Sequence, residues 1–143
     1  MMRSKFPVAV HLFFLKNEQI LLLRRFNTGY EDGNYSVVAG HVDAGETVTQ
    51  AAIREAKEEV GAILEPADIR IVHVMNRKSE DERIDFFLTV NHRAGKVSNQ
   101  EPHKCDDLSW VDMDSLPHNT IPYVKYAIEN YQAGIYYSEF GWQ

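Results

Sequence analysis

Cysteine is nearly absent from this chain: its one thiol, Cys105, cannot form an internal disulfide. A lone thiol fits a reducing compartment, so a cytoplasmic location is expected, with Cys105 as a packing residue. Long apolar runs are missing too. None approaches the roughly 20 residues of a membrane span, and the first apolar stretch stops at Lys16-Asn17-Glu18. Despite Arg3 and Lys5, the N-terminus does not read as a signal peptide, and no membrane partner is expected. There is no basic excess: the net charge is −6. With no basic stripe, binding to duplex nucleic acid is not expected. His11, His41, His73, His92, His103 and His118 show no metal-ligand spacing and read as structural or surface residues. Repeats, linkers and low-complexity segments are also lacking. One domain over 1–143 is expected, long enough for a real core.

What is present is concentrated in residues 40–62, GHVDAGETVTQAAIREAKEEVGA. Thr47-Val48-Thr49-Gln50 fits a capping box, and Gly61 suits the left-handed position that ends a helix. Between them, Glu55, Glu58 and Glu59 are spaced i, i+3 and i+4, within about a 100° arc. Three like charges on one face repel, and they sit where the helix dipole disfavours anions. A divalent cation removes both conflicts, and carboxylate oxygens suit Mg²⁺ or Mn²⁺. Ala52, Ile53, Ala56 and Val60 form an apolar arc roughly 120° from the acidic one. The alanines let the helix lie close to a sheet. The Arg54 fork is placed to hold a carboxylate.

The remaining chain alternates between apolar runs and turns. Phe6–Leu15 and Gln19–Arg25 read as a hairpin, 27–34 as a loop, and 35–39 as a short strand. Segments 68–76 and 84–91 are strand-like, with 77–82 as the loop between them and 92–101 as a polar connection. Residues 108–111 form a further short strand. Pro122 suits the first turn of a helix over about 121–132. The aromatic tail, 134–143, either closes over the core or packs on a second subunit, making a homodimer possible.

The spacing of Gly40, Glu46, Arg54, Glu55, Glu58, Glu59 and Gly61 resembles the Nudix box, G-x5-E-x7-R-E-U-x-E-E-x-G-U, with U a bulky aliphatic residue. Two positions depart: Ala62 is small for the last U, and Val38-Ala39 replaces the common Pro-Gly before the box. The resemblance implies an α/β fold, the Nudix α/β/α sandwich, with a mixed β-sheet between helices and the box as loop–helix–loop. It implies metal-dependent hydrolysis of a phosphoanhydride in a nucleoside diphosphate linked to another group. Glu58 and Glu59 would be the principal metal ligands, Gly40 would contribute its carbonyl, and Glu55 would be a further ligand or the general base. Arg54 would orient Glu55, and Glu46 would pair with Arg54 or support the metal shell. Glu101 is the candidate to complete that shell, with Asp106 and Asp107 as rivals. Arg24 and Arg25 end a strand on opposite faces; Arg25 resembles the arginine that contacts substrate phosphate in the MutT-like group.

Markers typical of ADP-ribose, dinucleoside polyphosphate and NADH enzymes are absent downstream of the box. Residues 101–117, EPHKCDDLSWVDMDSLP, instead resemble those of small nucleoside triphosphate pyrophosphohydrolases. Asn119 resembles a base-reading asparagine, though it also suits a helix cap. Tyr35 or Tyr30 would stack on a base or simply pack. The small-molecule nucleotide partner is therefore expected to be a (deoxy)nucleoside triphosphate, cut to monophosphate and pyrophosphate. The alternatives are ADP-ribose, a nucleotide sugar, or a nucleotide-sensing module that does not cut.

Overall fold

The computed structural model describes residues 2–91 and 96–143. His92 and the first part of the expected 92–101 connection lie outside them. Near-continuous apolar runs, buried on both faces, build β1 (Val8–Lys16) and β2 (Gln19–Arg25). The strand expected over 35–39 divides into β3 (Tyr35–Ser36) and β4 (Val38–His41). Then follow α1 (Val48–Val60), a 3-10 turn at Pro66–Asp68, β5 (Ile69–Lys78), β6 (Glu82–Val90), β7 (Cys105–Asp112), α2 (Pro122–Gln132) and β8 (Tyr137–Phe140).

The strands form one mixed sheet in the order β3-β2-β1-β6-β5-β8, with β4 added to β1 and β7 to β2. β1 runs parallel to β6, and β5 parallel to β8; the other pairs are antiparallel. The period-2 pattern of β1 separates two cores. Val10, Leu12 and Phe14 join Ala51, Ala52, Ala56 and Val60 of α1. Phe13 joins Val124, Ala127 and Ile128 of α2. The helices thus cover opposite faces of the sheet, the three-layer α/β/α sandwich.

The structure adds to or corrects the sequence reading at three places. Ala51, not Ile53, belongs to the fully buried face of α1. Ala51 stands one turn before Glu55, so Glu55 and Glu59 continue a side of the helix that Ala51 buries, while Glu58 is half exposed. Arg77, expected in a loop, extends β5 and is buried, because alternation puts it on the same side as His73 and Met75. The tail adds a strand: β8 pairs with β5, and His73 ties it down through the Ile135 carbonyl and the Ser138 hydroxyl. Tyr136 and Tyr137 of that tail still face outward.

One buried cluster of charge lies on the α2 face. Arg77 Nε donates to Asp85 Oδ2 at 2.6 Å, and His11 Nε2 lies 3.0 Å from Oδ1. Burial opposes ionisation of Asp85, but the hydrogen bonds and charges of His11 and Arg77 outweigh it and hold the carboxyl at about 2. That is below its ordinary 3.8. The ionised carboxylate therefore stabilises the fold above the ordinary value, by about 2 kcal/mol, and the contribution is lost as the pH falls through the folded value. Urea unfolding of the wild type and Asp85→Asn tests this. The stability gap between them is expected to shrink by about 2 kcal/mol from about pH 5 to about pH 2. A gap that does not change with pH contradicts the assignment.

Candidate active site

The loop before α1 and the helix itself are locked together by one side chain. Thr47 caps α1 with a complete capping box, its hydroxyl accepting from Gln50 N–H and Gln50 accepting from Thr47 N–H. Gly61 ends the helix at φ 73. From the middle of α1, Arg54 reaches back to the loop. Its Nε and Nη2 donate to the two oxygens of Glu46 at 2.7 and 2.9 Å, a bidentate pair. Nη2 also donates to the His41 carbonyl at 2.9 Å, and Nη1 donates to Glu55 Oε1 at 2.7 Å and Glu58 Oε2 at 3.4 Å. The Arg54 hydrogen bonds, with one from Asp43 N–H, hold Glu46 down at about 2. The same partners, Glu46 first, hold the guanidinium fully charged despite its partial burial.

Glu55, Glu58 and Glu59 line a cavity of about 590 Å³ with Arg54, Gly40 and Glu101. The Glu55 side chain is 12% exposed and that of Glu58 is 52% exposed. Burial pushes the Glu59 carboxyl well above its ordinary value. A hydrogen bond shared with Glu55 and the charges of Glu55 and Glu101 push the same way, while the Ala39 N–H opposes them. Two carboxyl groups sharing a hydrogen bond need a proton or a cation to reconcile them. Among the described residues, no three such side chains already stand in metal-coordinating geometry; Arg54 draws Glu55 and Glu58 to itself. The donor set still fits a hard divalent cation, being all oxygen with a buried, mutually repelling pair.

Of the expected later acids, Glu101 lines this cavity. Asp106 instead accepts from Arg24 Nε at 2.7 Å, and Asp107 from the Tyr35 hydroxyl at 2.5 Å. A register shift in the β2–β7 ladder falls between Arg24 and Arg25. Arg24 turns to Asp106, while Arg25 faces the cavity, its Nε and Nη2 fixed by the Tyr30 carbonyl and Thr28 hydroxyl. Asn119 donates to the Gly33 carbonyl at 2.8 Å. Neither Tyr35 nor Asn119 lines this cavity or the neighbouring one beyond Gly40. Several polar lining residues escaped the sequence reading, Thr28 and Asp43 among them. Lys104 and Asn99 belong to the cavity wall, and Asn99 bonds to the Cys105 carbonyl. Cys105 itself is buried against the α1 core and also touches the cavity.

The family model of the NUDIX domain matches residues 5–131, and the chain belongs to the NUDIX family. It is 31% identical over 102 residues to the NAD-capped RNA hydrolase NudC of Pseudomonas aeruginosa, covering 71% of this chain and 34% of that protein. It is 43% identical over 113 residues to the ADP-ribose pyrophosphatase of Methanocaldococcus jannaschii, covering 77% of this chain and 64% of that one. The chain thus spans about a third of the NudC length and under two thirds of the archaeal protein. The fold is similar to a crystal structure of a MutT NUDIX hydrolase from Burkholderia pseudomallei, with TM-score 0.79 and 24% identity, over 88% of this chain and 98% of that chain.

Gly40 makes a specific demand on this site. A Cβ there would collide with the Glu55 carboxylate. The obstacle is the end of a flexible side chain, so Gly40→Ala is expected to fold and to displace Glu55. Mn²⁺ affinity, followed by electron paramagnetic resonance, should fall about tenfold with the melting temperature nearly unchanged. Unaltered Mn²⁺ affinity contradicts the role of Glu55 in the cation site.

Proposed function

We propose that this chain hydrolyses a phosphoanhydride in a nucleoside diphosphate linked to a further group. A nucleoside triphosphate is the leading substrate, cut to monophosphate and pyrophosphate. One observation carries the reading: Glu55, Glu58, Glu59 and Glu101 share a cavity wall with Arg25 and Lys104. Cations without bound carboxylates suit phosphate oxygens, and an oxygen-rich acidic set beside them suits a divalent ion. The likeness of residues 101–117 to triphosphate enzymes supports a triphosphate substrate. A second reading, ADP-ribose or a related diphosphate, is favoured by the 43% identity to the archaeal ADP-ribose pyrophosphatase.

Glu55, Glu58, Glu59, Glu101 and the Gly40 carbonyl are the groups that would hold Mg²⁺ or Mn²⁺. Such an ion, when bound, neutralises phosphate oxygens and acidifies water. The chain's own residues do the rest. Arg25, held by Tyr30 and Thr28, and Lys104 position the phosphates. Glu55, steadied by Arg54 Nη1 at 2.7 Å, is the group placed to take a proton from the attacking water. Arg54 keeps that carboxylate aimed.

The test is a substrate panel resolved by chromatography, run on the wild type and on Glu59→Gln. Monophosphate and pyrophosphate from triphosphates are expected. In Glu59→Gln, kcat/KM should fall about a hundredfold or more, with no loss of thermal stability, since a buried, repelled carboxylate is removed. Cleavage of ADP-ribose alone moves the second reading to the front. Near-normal turnover in Glu59→Gln contradicts the acidic site.

A further inference from the structure

Beyond Gly40 lies a second cavity of about 540 Å³, a volume ordinary for a small-molecule site. Arg25, Ala39, Gly40 and His41 belong to the walls of both cavities. A ligand with its phosphates beside the glutamates therefore has the second cavity next to it. Arg77 and Tyr123 line that second space, and both are more than nine-tenths buried, at 5% and 9% exposed.

Their geometry is fixed. Arg77 Nε and Nη2 point to Asp85, at 2.6 and 3.5 Å, and the guanidinium lies 3.6 Å from the centre of the Tyr123 ring. Asp85 has no solvent exposure, so the ion pair cannot be exchanged for water. These contacts use Nε and Nη2. Among the described residues, Arg77 Nη1 and the Tyr123 hydroxyl have no hydrogen-bond partner. Burial pushes the Tyr123 phenol up to about 12, with the Arg77 charge opposing, so the hydroxyl keeps its proton and can donate. Two preset donors with no acceptor among the described residues offer their hydrogen bonds to a ligand that displaces water. At the mouth, the Arg25 guanidinium lies 5.2 Å from the Tyr30 ring centre, beside the same space.

We propose that Arg77 and Tyr123 select the base of the substrate, donating to the adjacent O6 and N7 acceptors of a 6-oxopurine. On the edge that carries N7, guanine puts two acceptors, O6 and N7, side by side; adenine puts the N6 donor beside N7, facing the guanidinium. On the equivalent edge thymine and uracil offer O4 alone, and cytosine offers the N4 donor. Asp85 acts as a positioning residue, since it holds the Arg77 fork. The inference rests on the reading that a nucleotide lies with its phosphates in the first cavity.

Binding and turnover separate the two ideas. Calorimetry of GMP and AMP needs no catalysis, and GTP and ATP kinetics supply kcat and KM. The variants are Tyr123→Phe, which keeps the ring under Arg77, and Arg77→Lys, which keeps the charge on Asp85 but loses the fork. The wild type is expected to prefer GMP over AMP by about tenfold, the scale of one good base contact. Each variant should erase most of that preference, through KM rather than kcat. Equal affinity for GMP and AMP in the wild type, or equal losses for both in the variants, overturns the proposal. GTP cleaved without base preference defeats this inference and leaves the hydrolase reading standing. Selective GMP binding lost in the variants, with no triphosphate cleaved, does the reverse.

Discussion

The Arg54 guanidinium carries the arrangement of the site. It contacts the loop at Glu46 and the His41 carbonyl, and its own helix at Glu55 and Glu58. Without it, the loop at residues 40–47 would have few ties to α1, and three carboxylates would face one another along a single helix. The cost of gathering those carboxylates is lowered by placing a permanent cation among them, since a guanidinium cannot lose its proton. Carboxylates alone at these positions would repel one another; with Arg54 present, the conflict of Glu59 with Glu55 and Glu101 is left unreconciled. That residual conflict is where an added cation gains most.

Close packing explains why the conflict is buried at all. Ala51, Ala52 and Ala56 let α1 lie against β1 and β4, and that approach carries Glu59 down to the Ala39 N–H. Gly40 admits the Glu55 carboxylate at the same level. β4 then serves two sides: its edge forms a wall of the acidic cavity and of the space beyond it. A register shift between Arg24 and Arg25 lets one of two adjacent arginines join the site while its neighbour pairs with Asp106. Phosphate chemistry and recognition of the attached group are thereby placed side by side on one strand.

Much of this is legible in the residues because it is local. The helix announces itself through Thr47, Gln50 and Gly61, and the acidic cluster through fixed helical spacing. The box spacing points to the family and hence to the sandwich, which strand and helix patterns alone do not select. What is not legible depends on long-range contacts. The burial of Glu59 is set by how near the alanine face comes to the sheet. Arg77 looks like turn polarity until Asp85 is seen beside it in the register of β5 and β6; the one local hint was an aspartate between Ile84 and Phe86 in an apolar run. Tyr35 and Asn119 find partners in Asp107 and Gly33, distant in sequence, so their neighbours are invisible from the chain. The strand in the tail depends on a free edge of β5 and on His73.

The most direct test of the organised acidic site is a crystal structure with Mn²⁺, read by anomalous scattering. The expected result is a strong peak within about 2.2 Å of the Glu55 and Glu59 carboxylates, with Glu58 or Glu101 drawn in and Arg54 still bound to Glu46. A peak elsewhere on the surface, or no peak at millimolar Mn²⁺ with Glu55 and Glu59 still in contact, would contradict it.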